Sequence, residues 1–315
     1  MKTKPTIIFI TLAAFSLTVS GAPKKKTVDA ATILKQGREA FLNYDFEEAA
    51  DLYDQYKSLK KKAKQDLDEE FEIWEQQLDV ATNAFDRVQK IEIIDSISLP
   101  LSSFYNAYKM ASSAGRIGKI ENFNLNRNLD TDEIAFLNED KDYLIVSVPD
   151  ETGVLRLQEN RRLLDGSWET YESLQGDFDK SGDYIYPFMS GDGQTLYFAS
   201  DGNDSMGGYD IFVAQKDPFS NEYRQPLNVG MPFNSPYNDF MMAIDEENGL
   251  GWWATDRNSE EGNVTVYVYL LDETRKNYSP DDENLTEYAK ISDYRATQNP
   301  DKESVYIALK TKIGR

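Results

Sequence analysis

The chain has 315 residues, room for two domains, and carries 55 acidic against 34 basic side chains, a net charge of −21. A field of that sign repels nucleic acid and anionic lipid and favours basic partners or cations. It contains no cysteine and no histidine, which excludes disulfides, Ser-His-Asp and Cys-His catalysis, and histidine or cysteine metal sites.

At the start, Lys2 and Lys4 precede an apolar stretch from Ile7 to Val19, and Ser20, Gly21 and Ala22 follow. The stretch is too short to cross a bilayer, and the pattern is that of a secretory signal peptide over residues 1–21, cleaved after Gly21. The expected location is therefore the periplasm or exported cell envelope. With no cysteine to acylate and no later apolar run of spanning length, the mature chain is expected not to span a membrane.

Residues 28–91 have helical periodicity. Gly37, Ala40, Phe41, Tyr44, Phe46, Ala49 and Tyr53 alternate small and aromatic side chains, so that two helices can lie close together, with a turn at Asn43–Asp45. A third helix, expected from about Lys64 to Ile91, repeats Leu67, Phe71, Trp74, Leu78, Ala81, Phe85 and Val88 at alternating spacings of four and three. A hairpin alone cannot bury its apolar face, so this helix is expected to cap it. Residues 92–131 open with the β-branched run "IEIIDSISLP" and turn Asn-rich; they are expected to be a linker or docking strands. Residues 132–271 read as β throughout. Residues 272–315 are an acidic segment in which "ESVYIALK" is expected to form a final strand.

The β part repeats itself in residues 135–157, 186–215 and 240–270, with Ser147, Ser200 and Thr255 in equivalent places at a spacing of roughly 54 residues. In the clearest copy, Ser190 to Gly193 form a tight turn around Asp192 and Gly193, an alternating strand follows, Gly207–Gly208 turn again, and Tyr209–Asp210 open the next strand. "SGDGQTLYFASD", "GGYDIFV" and "PLNVG", with Asn228, Gly230 and Asn234, resemble the WD40-like propeller repeat of Tol-type envelope proteins. "GREAFLNYDFEEAADLY" looks like one tetratricopeptide-type hairpin. Their order is similar to that of periplasmic envelope proteins of Bacteroidota, although this chain lacks the lipid-anchoring cysteine and the C-terminal OmpA-type domain of the type IX secretion members. The resemblance implies an α+β multidomain chain: a TPR-like hairpin with its capping helix, then a partial or small β-propeller of about three to five blades.

A Gly-x-Ser-x-Gly elbow is absent, and the turn at Asp192–Gly193 departs from the sialidase Asp box, so no catalytic residue, cofactor or metal is assigned. The loop Asp201–Ser205 alternates oxygen donors like the first half of a calcium loop, but Phe212 stands where the closing Glu belongs. Asp95-Ser96-Ile97 and Asp204-Ser205-Met206 match a short O-glycosylation pattern at Ser96 and Ser205, the second in a loop expected to be exposed. Trp252–Trp253 in a strand leave at most one ring free to stack on a ligand. The expectation is a non-catalytic scaffold that binds an envelope protein, or peptidoglycan, through Tyr44, Tyr53, Asp192, Gly193, Asp201, Gly207, Gly208, Tyr209, Asp210, Trp252 or Trp253. The alternative is a glycan-binding or glycan-cleaving propeller that uses acidic and aromatic loop residues.

Overall fold

The computed structural model describes residues 29–123, 133–169, 172–178, 181–272 and 274–315. The signal peptide expected over residues 1–21 lies outside them.

Three helices come first: α1 (Ala30–Leu42), α2 (Phe46–Ala63) and α3 (Glu69–Phe85). Asp29 and Asp45 start α1 and α2 by accepting from the backbone N–H groups of Thr32 and Glu48, at 2.8 and 3.2 Å. Between α1 and α2, Tyr44 turns the chain at φ +63°. Gly37 lets the two helices touch, because a Cβ there would stand 2.7 Å from the Tyr53 ring. The aromatic residues expected to mediate this packing do so. Tyr44 and Tyr53 are buried, and Phe71 from α3 meets the rings of Tyr53 and Tyr56 at 5.4 and 4.8 Å. Full burial of a side chain like Phe71 contributes about 1.5–3 kcal/mol. The third helix is shorter than the periodicity suggested. Lys64 stops α2 in the left-handed conformation, Leu67 is exposed, and Val88 is buried beyond the helix end. The helices share their core with Met206, Met231, Leu285 and Ala289, so this unit closes only with the β part in place.

Thirteen strands follow among the described residues, in three antiparallel sheets. The first sheet orders β2 (Arg116–Lys119), β3 (Ile134–Leu137), β4 (Tyr143–Pro149), β5 (Leu155–Arg161) and β6 (Glu172–Ser173). The second orders β10 (Leu227–Asn228), β9 (Asp210–Gln215), β8 (Thr195–Ser200) and β7 (Tyr184–Met189). In the third, β1 (Ile93–Pro100) pairs with β13 (Asn263–Leu270), which continues through β12 (Leu250–Thr255) to β11 (Asp239–Asp245). Each sequence copy is one antiparallel meander, and Ser147, Ser200 and Thr255 are all buried in its second strand. β7 and β8 pack between the first and third sheets, and one apolar core holds Ile145, Phe188, Phe198, Phe240 and Trp252 together.

The expected propeller is not formed. The repeats build three separate sheets stacked in a sandwich-like manner beside the helical unit, and no closed ring of blades exists among the described residues. The reason is physical: turn glycines and alternating apolar positions specify a meander, and a meander is compatible with more than one way of stacking sheets.

Of the segment expected to be a linker or docking strands, residues 92–123 are described and 124–131 lie outside the described residues. The described part supplies β1 to the third sheet and β2 to the first, and between the two strands Phe104 and Tyr108 are buried in the main core. The C-terminal segment also differs from expectation. "ESVYIALK" lies in helix α5 (Glu303–Lys312), preceded by α4 (Leu285–Lys290). Tyr306, Leu309 and Ile313 turn inward at helical spacing, which a strand could not do. This segment covers the free edge of β1. Thr297 Oγ1 accepts from the Ile93 N–H at 2.9 Å, the Gln298 amide donates to the Ile93 carbonyl at 2.8 Å, and Lys310 and Arg315 pair with Asp95 at 3.2 and 3.0 Å.

Candidate functional site

A groove of ≈ 1400 Å³ lies between the second and third sheets, closed at one end by the segments that join helices to sheet. It exceeds the roughly 300–1,000 Å³ usual for small-molecule pockets. Tyr197, Val213, Leu227 and Val229 line one side, and Met242, Ile244 and Tyr269 the other. Leu227 lies on the two-residue edge strand β10 and is 66% exposed, an apolar side chain that nothing in the fold covers.

The closed end is cationic. Residues 88–90 run antiparallel to 276–278: the Lys90 N–H donates to the Lys276 carbonyl at 2.7 Å, and the Tyr278 N–H donates to the Val88 carbonyl at 2.9 Å. This crossing sets Lys90, Arg275 and Lys276 side by side at the groove, with Lys302 nearby. Lys302 pairs with Glu92 at 2.7 Å and Lys276 with Asp272 at 3.5 Å. Among the described residues, Lys90 and Arg275 have no carboxylate at ion-pair distance; Lys90 stands 5.0 Å over the Tyr278 ring. Four cations therefore line the groove against three carboxylates, Glu92, Glu246 and Asp272, a slight positive excess on a chain of net charge −21.

The residues singled out in the sequence fall elsewhere, and most of them build the scaffold. Asp201 Oδ1 accepts from the Asp183 N–H at 2.8 Å, and Asp256 Oδ1 accepts from the Asn238 N–H at 2.9 Å; both pairs are 18 residues apart. Asp183 and Asn238 in turn accept from Leu155 and Tyr209 of the preceding sheet, at 2.8 and 3.0 Å. The repeat thus carries a recurring polar tie between successive sheets. Asp192 accepts from the N–H groups of Gln194 and Thr195, and Gly193 completes the turn at φ +64°. Gly207 and Gly208 are needed for close approach: a Cβ on either would collide with the Tyr237 carbonyl or the Asn238 side chain. Asp210 is fully buried and accepts from the N–H groups of Met206 and Gly207 and from the Asn228 amide; burial pushes its carboxyl well up from the usual range. The Tyr209 hydroxyl donates to Asp183 at 3.1 Å. Tyr44 and Tyr53 are core residues, and burial raises the Tyr44 hydroxyl to about 12.

Two surface expectations are overturned. Trp252 and Trp253 are both fully buried, one facing each side of β12, so neither ring is free to stack on a ligand. Ser205 is buried and donates to the Ser200 carbonyl at 2.8 Å, which leaves no hydroxyl to glycosylate. Ser96 lies within β1 opposite Tyr267, half-buried. Among the described residues no group of three or more acidic side chains is placed to hold a metal ion, at Asp201–Ser205 or elsewhere. No helix among them is long and apolar enough to cross a membrane.

Sequence reading missed the buried pair Asp239–Arg257. Arg257 donates to the carbonyls of Pro232, Phe233 and Ala289, at 2.8, 2.6 and 3.3 Å, and to the Asp239 carboxylate, which also accepts from Ser235 at 2.6 Å. Burial alone would lower the Arg257 pKa, but the adjacent carboxylate more than reverses this and holds the guanidinium charged. The pair joins the third sheet, the loop before β11 and α4. The groove cations were missed too, although "TRKN" stands out as basic inside the acidic run from Asp272 to Glu287.

No protein-family model, no curated protein and no solved structure matches this chain.

Proposed function

We propose that this chain is a non-catalytic binding protein of the cell envelope whose groove takes an extended, acidic segment of a partner protein. The observation that carries this reading is the pairing of an open groove, whose lining mixes apolar and polar side chains, with a cluster of cations at one end on a strongly acidic chain. The apolar lining supplies area, and Lys90 and Arg275 select the sign of the partner. The groove volume suits several residues of polypeptide better than one small metabolite. Trp252 and Trp253, the ring pair singled out for stacking on a sugar, are buried, which favours the groove over the glycan alternative.

The test compares capture from envelope extract by the wild-type protein, by Leu227→Asp, by Arg275→Glu/Lys276→Glu, and by Lys35→Glu on the outer face of α1. A partner of this groove is lost from both groove variants, is retained by the control, and is released by salt. A partner retained by both groove variants overturns the assignment.

A further inference from the structure

A second cavity, of ≈ 420 Å³, opens beside the loop Asp201–Ser205. Its size falls within the range of small-ligand pockets. Four rings line it, those of Phe178, Tyr184, Phe198 and Phe212, with Pro226 and the polar side chains of Ser181, Ser200, Asn203 and Gln225 around them. The rings form one cluster, with centroids 5.1 Å apart for Tyr184–Phe198 and 5.9 Å for both Phe178–Phe198 and Phe198–Phe212. At its rim stand Asp177 and Asp204, both exposed. Neither carboxylate has an ion-pair partner among the described residues, whereas the nearby Asp183 and Asp201 carboxylates are used in the sheet ties.

These two features ask for the same kind of ligand. Aromatic faces carry negative potential and attract cations, most strongly where water is excluded. This cluster already holds one: the Arg156 guanidinium lies 5.3 Å from the Tyr184 ring centroid. Calcium takes six to eight oxygens, and among the described residues no group of three or more acidic side chains is placed to hold it. Asp177 and Asp204 do suit a cation that carries its own apolar surface. The net charge of −21 raises the local concentration of any such cation.

We propose that this cavity binds an organic ammonium ion, with the charged group between Asp177 and Asp204 and its methyl or methylene groups on the aromatic floor. The ion could reach the site as a free quaternary ammonium or as a lysine side chain of a partner. The site is separate from the groove and does not depend on the groove reading.

Calorimetric titration of the full chain with choline, with Nα-acetyl-lysine amide, and with the neutral isostere of choline in which tert-butyl replaces trimethylammonium tests this. At least one ammonium binds about tenfold or more tightly than the neutral isostere, and the one that binds better identifies the source. Asp177→Asn/Asp204→Asn weakens that binding by about tenfold at an unchanged thermal midpoint, as expected for exposed carboxylates. Phe178→Leu weakens it as well. No residue lines both cavities, so loss of one site is distinguishable from loss of the other, and Lys35→Glu on the outer face of α1 leaves ammonium binding unchanged. Equal affinity for the isostere, undiminished binding by the double variant, or no binding of either ammonium overturns the proposal.

Discussion

The side-chain amide of Gln77, on α3, donates to the backbone carbonyl of Gly207, 130 residues further along the chain. This bond fastens the helical unit to the second sheet at a point where the backbone of 207–208 presses against that of residues 235–238. A methyl group at 207 would collide with the Tyr237 and Ser235 carbonyls, which are main-chain atoms and cannot turn aside. Gly207→Ala is expected to cost about 1–3 kcal/mol in urea denaturation. If the helical unit depends on this contact, Gln77→Ala lowers the same transition by a smaller amount.

Arg257 satisfies three carbonyls and one carboxylate in a place that water does not reach. Arg257→Met leaves Asp239 buried without its cation and is expected to cost about 3–5 kcal/mol. Combining it with Asp239→Asn restores part of the loss, because the uncompensated charge is gone. Strictly additive losses in that denaturation cycle would show that the two residues do not act as a pair.

Asp217 accepts from Arg224 at 2.8 Å and from the N–H groups of Phe219 and Ser220, and these bonds, Arg224 first, hold its carboxyl down at about 2. A depressed carboxyl stabilises the fold above its ordinary pKa, and the contribution fades as pH falls from about 4 towards 2. In Arg224→Ala the midpoint should rise towards the ordinary carboxylate value while remaining below it, since the backbone donors persist. Carboxyl titration by NMR reads both values directly.

The edge of β1 is protected by residues 297–298 and by α5, which is fixed through the Tyr306 hydroxyl donating to Glu92 at 2.6 Å. Tyr306→Ala with Ile313→Asp should undock α5 and bare an apolar edge. The expected outcome is concentration-dependent association in light scattering after gel filtration. A variant that stays monomeric at all concentrations would show that the edge needs no cover.

Local chemistry was the legible part of this fold. The small-aromatic alternation around Gly37 and the turn at Asp192–Gly193 lie where the residues placed them. Three meanders also follow from the repeat. The stacking of those meanders was not legible, because it depends on how faces of similar apolar character meet rather than on any one motif. Nor was the inward turn of "ESVYIALK", whose central Val-Tyr-Ile favours a strand and whose helical spacing shows only once Ile313 is counted with Tyr306 and Leu309. The same limit applied to the groove. Lys90 and Arg275 are far apart in sequence, and only the crossing of 88–90 with 276–278 brings them together.

The pairing of β1 with β13 also sets an order of events. Ile93–Pro100 emerges early in synthesis, yet its partner, Asn263–Leu270, is made only after all of the second sheet. Until then a strand containing Ile93, Ile94 and Ile97, all buried in the finished protein, has no mate. At translation rates of about 5–20 residues per second, that interval is on the order of ten seconds or more. An apolar strand left unpaired for so long is a natural target for a holding chaperone, and the helices made before it must wait for Met206, Met231 and Leu285 to complete their core.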